Sequence, residues 1–522
     1  MQKTKKALRI LGCTLAGFAG GLAYPPFSTR WPWLAVAAQS LWLSTMLWLI
    51  FDSKSARQAF WRSWGLGTLA SLFSLSWLLQ AFHFVNRFIE TIGPYAFIMF
   101  CMFLSLFVGA IGAATFKAPK EKRYVAFAFV FATVEWIKSW VFLDGFPWNP
   151  ASLVWSDVPA MYQSLSLFGT FGLTFLTVFL LSFPYLAATE GKRAFRSRTA
   201  VAALSLLILN SAFGLCRLSY LKSNSEKTGF KARLVNAAIR QSYRRRGFED
   251  VMEYMRMSRY KGWENIDLFV WPENAVFEPF DKGDWMESAL ADVNNGKSWL
   301  VTGHDRMHVF AFMRYNLYNS MSFISKDGIA AVYDKVKLVP FGEYLPSVIR
   351  LIPGVTKFVA GPQDFSHGAG NKIVRLGGFG VYPLVCYEII FPGMRLTEEV
   401  DFIVNGANEE WFSRFQQDQS LGLVRYRAVE EGVPVIRVTN MSLSAVVDPS
   451  GALAEGEKTF PDGRTEMSEL LSEKAVMDVD LPKRIGRTIF SRTGNRLVVP
   501  FLLIGLLFVY GPLLLRRSRK AR

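Results

Sequence analysis

Apolar residues run in long, nearly unbroken blocks through roughly the first 220 positions and again near the C-terminus. Between them, apolar and polar positions change over short distances. A helix crossing the hydrocarbon core of a bilayer needs ~20 predominantly apolar residues. Blocks of about this length cover Leu8–Ala23, Trp33–Phe51, Trp64–Phe82, Tyr95–Phe116, Val125–Val141, Leu165–Ala188, Ala200–Leu221 and Leu497–Leu515. The pattern predicts an eight-helix transmembrane bundle, with seven helices in residues 1–222 and the last over 497–515.

The stretch 231–489 reads as a soluble domain. Short β-branched and apolar runs recur at Ala232–Ile239, Ile266–Trp271, Trp299–Thr302, Leu317–Ser325, Val381–Cys386, Phe402–Asn405 and Val433–Thr439. Polar, amphipathic stretches such as Phe248–Lys261 and Ser413–Glu431 separate several of them. Strand and helix patterns in alternation predict an α/β sheet domain.

Composition agrees with this plan: 51% of residues are hydrophobic and only 19% charged, with 45 Phe and 16 Trp. The net charge of +17 raises the question of nucleic acid, but its placement answers otherwise. Lys54, Arg57 and Arg62 follow the second block; Lys117, Lys120, Lys122 and Arg123 the fourth; Lys192, Arg193, Arg196 and Arg198 the sixth. Both termini are basic, and the alternate loops hold little more than Arg30 and Arg87. Basic loops are retained on the cytoplasmic side, so both termini are expected there and the soluble domain on the opposite side. No nucleic-acid-binding signature accompanies the charge. The basic start (Lys3, Lys5, Lys6) before an apolar run resembles a signal peptide, but the hydrophobicity continues past Cys13, as in a first membrane helix. Glu135 and Lys138 lie in the fifth block, where a mutual salt bridge and a functional role are equally open.

Of four cysteines, Cys13, Cys101 and Cys216 fall in apolar blocks; Cys386 alone lies in the soluble stretch, at the end of Val381-Tyr382-Pro383-Leu384-Val385. Sheet enzymes of the α/β class put reactive groups at such strand ends. Glu273 ends a second apolar run, Leu268-Phe269-Val270-Trp271-Pro272. Partial desolvation there suits a carboxylate to general-base work. A lysine near the sulfur would stabilise a thiolate and an oxyanion, and either Lys335 or Lys337 could serve by spacing. His304 and His308 have helical ligand spacing without a convincing third ligand, so no metal site is expected. No phosphate loop or nucleophile elbow is present, and no cofactor is expected.

Taken in order, Val270-Trp271-Pro272-Glu273, Lys335 with Leu338-Val339-Pro340-Phe341-Gly342-Glu343, and Cys386-Tyr387-Glu388 resemble the carbon–nitrogen hydrolase (nitrilase) superfamily. With the flanking apolar blocks and Gly145-Phe146-Pro147-Trp148, the chain resembles its membrane-bound N-acyltransferase branch. The resemblance implies an α-β-β-α sandwich on the periplasmic side of a bacterial inner membrane. It implies Glu273 as general base, Cys386 as nucleophile and Lys335, rather than Lys337, as oxyanion stabiliser. Glu343 and Glu388 would support them; Asn319, Arg350, Tyr387, Trp411 and Phe412 would support the site or bind substrate. The implied reaction moves a fatty acyl chain from a phospholipid, through a Cys386 thioester, to the α-amino group of an apolipoprotein's N-terminal diacylglyceryl-cysteine. A membrane-anchored amidase, a transporter and an inactive binding scaffold are the alternatives. The apolar segment Val348–Val359 is expected to dip into the membrane as a lid. Two stretches depart from the family pattern and put substrate handling in question: Leu234–Gln241 with the following Arg244-Arg245-Arg246, and Glu410 in Ala407-Asn408-Glu409-Glu410-Trp411.

Overall fold

The computed structural model describes residues 2–84, 87–141, 144–240, 247–311, 314–346, 364–370 and 372–520. Each apolar block overlaps a helix, since only intra-segment hydrogen bonding satisfies a backbone in lipid, although the block Trp64–Phe82 is helical as one piece only to Ser74. The helices are Gln2–Gly21, Pro32–Phe51, Ala56–Ser74, Arg87–Lys117, Arg123–Val141, Leu165–Leu181 extended by Phe183–Glu190, Arg198–Ser223 and Asn495–Lys520. Ser55 and Ser197 cap two of them, accepting from the amides of Gln58 and Ala200.

Among the described residues, six segments are long and apolar enough to cross a membrane: Pro32–Phe51, Glu90–Lys117, Lys120–Val141, Leu165–Arg196, Arg198–Ser223 and Asn495–Leu513. The eight expected exceed this number. Gln2–Gly21 and Ala56–Ser74 fall outside the six, and both carry cations: Lys3, Lys5, Lys6 and Arg9 in one, Arg57 and Arg62 in the other. Glu135 and Lys138 each find separate partners instead of a mutual hydrogen-bonded bridge. Glu135 accepts from the Ala151 amide (3.2 Å) and the Thr174 hydroxyl (3.3 Å), and Lys138 donates to the Trp148 carbonyl (3.3 Å).

The middle of the chain forms two sheets. The strands are β1 (Lys227–Asn236), β2 (Leu268–Val270), β3 (Trp299–Ala311), β4 (Arg314–Ser325), β5 (Gly328–Asp334), β6 (Val374–Leu376) and β7 (Phe379–Val385). They continue with β8 (Phe402–Asn408), β9 (Val435–Asn440), β10 (Ala445–Val447), β11 (Gly456–Thr459), β12 (Thr465–Ser468) and β13 (Ala475–Pro482). One sheet has the order β12-β11-β13-β1-β2-β3-β4-β5, the other β10-β9-β8-β7-β6. The central strands β1, β2 and β3, and likewise β7, β8 and β9, run parallel.

Alternating side chains sort themselves between two cores, as the strand period of two requires. Leu234, Leu268, Val270 and Val301 of the first sheet meet Val381, Val385, Val404 and Val438 of the second in one buried layer. Phe269, Leu300 and Val476 point the other way, onto Val251, Tyr254, Met255 and Leu290 of the helices Phe248–Ser258 and Trp285–Ala291. On the second sheet, Leu384, Ile403 and Val435 pack against Leu421, Val424 and Ala428 of the helix Arg414–Glu431. The result is an α-β-β-α sandwich.

The helix Arg414–Glu431 also carries the contact with the apolar bundle. Its Tyr426 hydroxyl donates to the Ser152 carbonyl at 2.5 Å, and its Gln419 accepts from Trp148 Nε1 at 2.7 Å. Gly169 breaks the helix Leu165–Leu181 with φ of 61°, and the freed Thr170 amide donates to Glu430 at 2.8 Å. A Cβ at Gly169 would lie 2.2 Å from the Phe490 ring.

Candidate active site

Three strand ends converge. Glu273 follows β2, Lys335 follows β5 and Cys386 follows β7, all at C-terminal ends. The close approach depends on Gly303 of β3, where a Cβ would lie 2.5 Å from the Glu273 Cα.

Lys335 is buried, with Nζ 3.3 Å from Oε1 of Glu273 and 2.9 Å from Oε1 of Glu343. Asn319, from β4, donates its amide to the same two oxygens at 2.7 Å each. The second oxygen of Glu273 accepts from the Asn408 amide at 2.8 Å, and that of Glu343 from the Val339 amide at 2.8 Å. Both carboxylates are thereby fixed in direction. Cys386 sits in the left-handed region at φ 50°, near enough to Glu273 and Lys335 for both charges to act on its thiol.

The electrostatics follow from burial. Desolvation pushes the Cys386 thiol well above its ordinary range, and the Glu273 charge adds to that while Lys335 opposes it. Burial alone would depress Lys335, but Glu343 and then Glu273 outweigh it and hold the ammonium charged. The resting site therefore pairs a neutral thiol with a permanent cation.

Glu388 faces away from this cluster and ties the two loops together. It accepts from the Tyr333 hydroxyl (2.9 Å) and from the amides of Val336 (2.8 Å), Lys337 (2.9 Å) and Val385 (2.8 Å). Lys337, the rival of Lys335 by spacing, is excluded from the cluster: its ammonium reaches the Asp144 carbonyl at 3.2 Å and stands over the Phe391 ring. Tyr387 donates to the Gly145 carbonyl at 2.9 Å, which sets the site beside the loop that precedes Trp148. Trp411 and Phe412 occupy the turn after β8, with Phe412 edge-on to Trp77 at 4.9 Å. His304 donates to the Asp305 carbonyl and pairs with Ser322, while His308 lies further along β3.

Arg350, the segment Val348–Val359 and Arg244 to Arg246 lie outside the described residues. Of the departing positions that are described, Asn236 turns the chain after β1 by accepting from the Ala238 amide, and the Glu410 amide donates to Asn408. Sequence reasoning missed Asn405, Glu409 and Arg437, which lie behind Cys386. Their one signal was a charged residue inside an apolar strand, Val435-Ile436-Arg437-Val438.

Residues 16–183 match the family model described as the apolipoprotein N-acyltransferase N-terminal domain, and residues 231–472 match that of carbon-nitrogen hydrolase. A Rhizobium rhizogenes strain K84 protein named apolipoprotein N-acyltransferase is 31% identical over 485 residues, covering 86% of this chain and 87% of its own length. The chain belongs to the apolipoprotein N-acyltransferase family. A second apolipoprotein N-acyltransferase, from Rickettsia bellii, is 28% identical over 524 residues, or 98% of this chain and 99% of its own. Among solved structures, an amidase from Nesterenkonia sp. AN1 is 16% identical with a TM-score of 0.33, covering 48% of this chain and 93% of that one. As an apolipoprotein N-acyltransferase family member, the chain is an acyltransferase that joins a carbon-nitrogen hydrolase domain to a membrane region.

Proposed function

We propose that the protein transfers a fatty acyl chain from a phospholipid to the α-amino group of the N-terminal diacylglyceryl-cysteine of apolipoproteins, through a thioester on Cys386. The observation that carries this reading is the convergence of Glu273, Lys335 and Cys386 at three strand ends, with the buried Lys335 ammonium 3.3 Å from the Glu273 carboxylate. Glu273 takes the thiol proton as sulfur attacks the acyl ester carbonyl. Lys335 and its positive charge stabilise the oxyanion of the tetrahedral intermediate. Collapse expels the lysophospholipid alkoxide, which receives the proton from Glu273. In the second half, the acceptor amine attacks the thioester, Glu273 removes its proton, and the thiolate leaves and regains that proton as the amide forms. Two transfers of moderate difficulty replace one direct transfer between bulky lipids. Glu343 holds Lys335 charged and in place, Glu388 braces the loops, and Tyr387, Trp411 and Phe412 border the lipid side.

In this reading the bundle has eight helices: seven within residues 1–222 and one over 497–515, flanking a catalytic domain of residues 231–489. Gly17 and Gly20 support the inclusion of Gln2–Gly21, since a Cβ on either would collide with Leu69 or Trp42 of neighbouring helices. The basic loops place both termini in the cytoplasm and the catalytic domain on the periplasmic side of a bacterial inner membrane. Substrates then enter from the bilayer beside Gly145.

The test is intact-protein mass spectrometry after incubation with phospholipid vesicles. A fatty-acyl increment on wild type, absent in Cys386→Ala and released by hydroxylamine, is expected. An unmodified wild type that hydrolyses small amides would overturn the reading in favour of an amidase.

A further inference from the structure

Cys386 is a non-glycine residue at φ 50°, a conformation that persists only where the surroundings impose it. The imposing group lies on the next strand. Asn405 of β8 stands opposite Leu384 of β7 in the parallel register, and its Nδ2 donates to the carbonyls of Leu384 (3.2 Å) and Cys386 (3.3 Å). One amide thus grips the chain on both sides of Val385, at the turn where the strand ends.

The amide can do this only in one orientation, because its oxygen in the same place would face two carbonyls. Arg437, directly opposite Asn405 on β9, sets that orientation: its Nη1 donates to Asn405 Oδ1. Its other terminal nitrogen is held by Glu409 at 2.6 Å and by the Ser420 hydroxyl at 2.8 Å. Glu409 is in turn fixed by Gln416 (2.8 Å) and Ser442 (2.6 Å). Asn405 and Arg437 are fully or almost fully buried, at 0% and 1% exposure, so water does not compete for these bonds. Glu409 follows Asn408, whose amide anchors the Glu273 carboxylate. The same buried network therefore touches the backbone of the sulfur-bearing residue and the chain that anchors its base.

We infer that Asn405 and Arg437 are positioning residues: Arg437 orients the Asn405 amide, which clamps the Cys386 backbone so that the sulfur meets Glu273. The inference rests on the thioester reading of Cys386. It assigns a kinetic role, because small displacements of a reacting atom depress turnover far more than they depress binding. Substrate contacts are untouched.

The experiment uses full-length wild type, Asn405→Ala and Arg437→Lys in vesicles of phosphatidylethanolamine and phosphatidylglycerol, with the folded fraction of each measured by thermal melting. The readout is the rate of Cys386 acyl-adduct formation against phospholipid concentration. Asn405→Ala is expected to acylate about tenfold or more slowly at saturation, with the half-saturating lipid concentration within about twofold of wild type. Arg437→Lys keeps a cation beside Glu409 but lacks the planar fork that also reaches Asn405, so its saturating rate falls too. Wild-type rates per folded molecule in either variant, or losses that merely track the folded fraction, would overturn the inference. Absence of an adduct in wild type would instead remove the thioester reading on which it rests.

Discussion

Oε1 of Glu343 lies 2.9 Å from the Lys335 ammonium, closer than the 3.3 Å that separates that ammonium from Glu273. The carboxylate proposed as base is therefore the lysine's weaker partner, which leaves it available to the Cys386 thiol. Glu343 carries the task of keeping a buried cation in place.

Replacing that carboxylate by an amide should expose the division of labour. Breaking a buried ion pair costs about 3–5 kcal/mol. Glu343→Gln is expected to lower the thermal midpoint by several degrees and acyl transfer by about 10²-fold, through loss of fixed charge at the oxyanion. Steady-state kinetics with calorimetry checks both. Unchanged turnover would mean that Glu273 alone suffices to hold Lys335.

Thiol reactivity and catalysis should part company at Glu273. Burial, then the Glu273 charge, pushes the Cys386 thiol up, with Lys335 opposing. Wild-type alkylation by iodoacetamide should be slow at neutral pH and climb only at alkaline pH. In Glu273→Gln the neighbouring negative charge is gone, so the alkylation profile moves to lower pH while acyl transfer collapses. Peptide mass spectrometry across pH measures the first and the acyl-adduct assay the second.

Glu430 should leave a pH signature on stability. Burial pushes its carboxyl up to about 7, with Arg427 opposing. The folded protein binds this proton more tightly than the unfolded chain, whose glutamates titrate near ~4.3. Its stabilising contribution is full below the unfolded value and lost as pH rises through about 7. Across that window the thermal midpoint should fall by a component worth ~3 kcal/mol. Glu430→Gln should abolish that component; a wild-type pH slope retained in the variant would refute it.

Gln419 bridges the catalytic domain to the bundle, accepting from Trp148 Nε1 at 2.7 Å and donating to the Ser74 carbonyl at 3.1 Å. Gln419→Ala strands a buried donor and acceptor, at about 1–3 kcal/mol. Hydrogen exchange in the helix Arg414–Glu431 should accelerate, while exchange in β1 and β2 stays as in wild type. Equal exchange in that helix would show that the bridge adds nothing to the interface.

Much of the architecture was legible from local pattern. All eight apolar blocks overlap helices, and the runs ending at Glu273 and Cys386 became β2 and β7. The strands β5 and β13 escaped notice, and so did β6 and β10 to β12, which have only 3 or 4 residues each and exist through pairing with β7, β9, β11 or β13. Such segments are too short for periodicity to register. The long reach of β3 was missed because residues 303–311 mix His, Asp and Arg with apolar positions, and only antiparallel pairing with β4 holds them extended.

Local chemistry along the chain determined which segments are apolar, where strands end and which residue types could react. It could not choose between Lys335 and Lys337. In an extended chain, residues two apart share a face, so spacing treats them alike. Tertiary structure decided. The Lys335 amide bonds to the Asn319 carbonyl at 2.8 Å, while the next two amides turn to Glu388, a residue some 50 positions away. That turn buries one ammonium between Glu273 and Glu343 and sends the other to Asp144 at the edge of the bundle. The network of Asn405, Glu409 and Arg437 was equally out of reach, because a buried charge is tolerable only beside partners supplied by other strands.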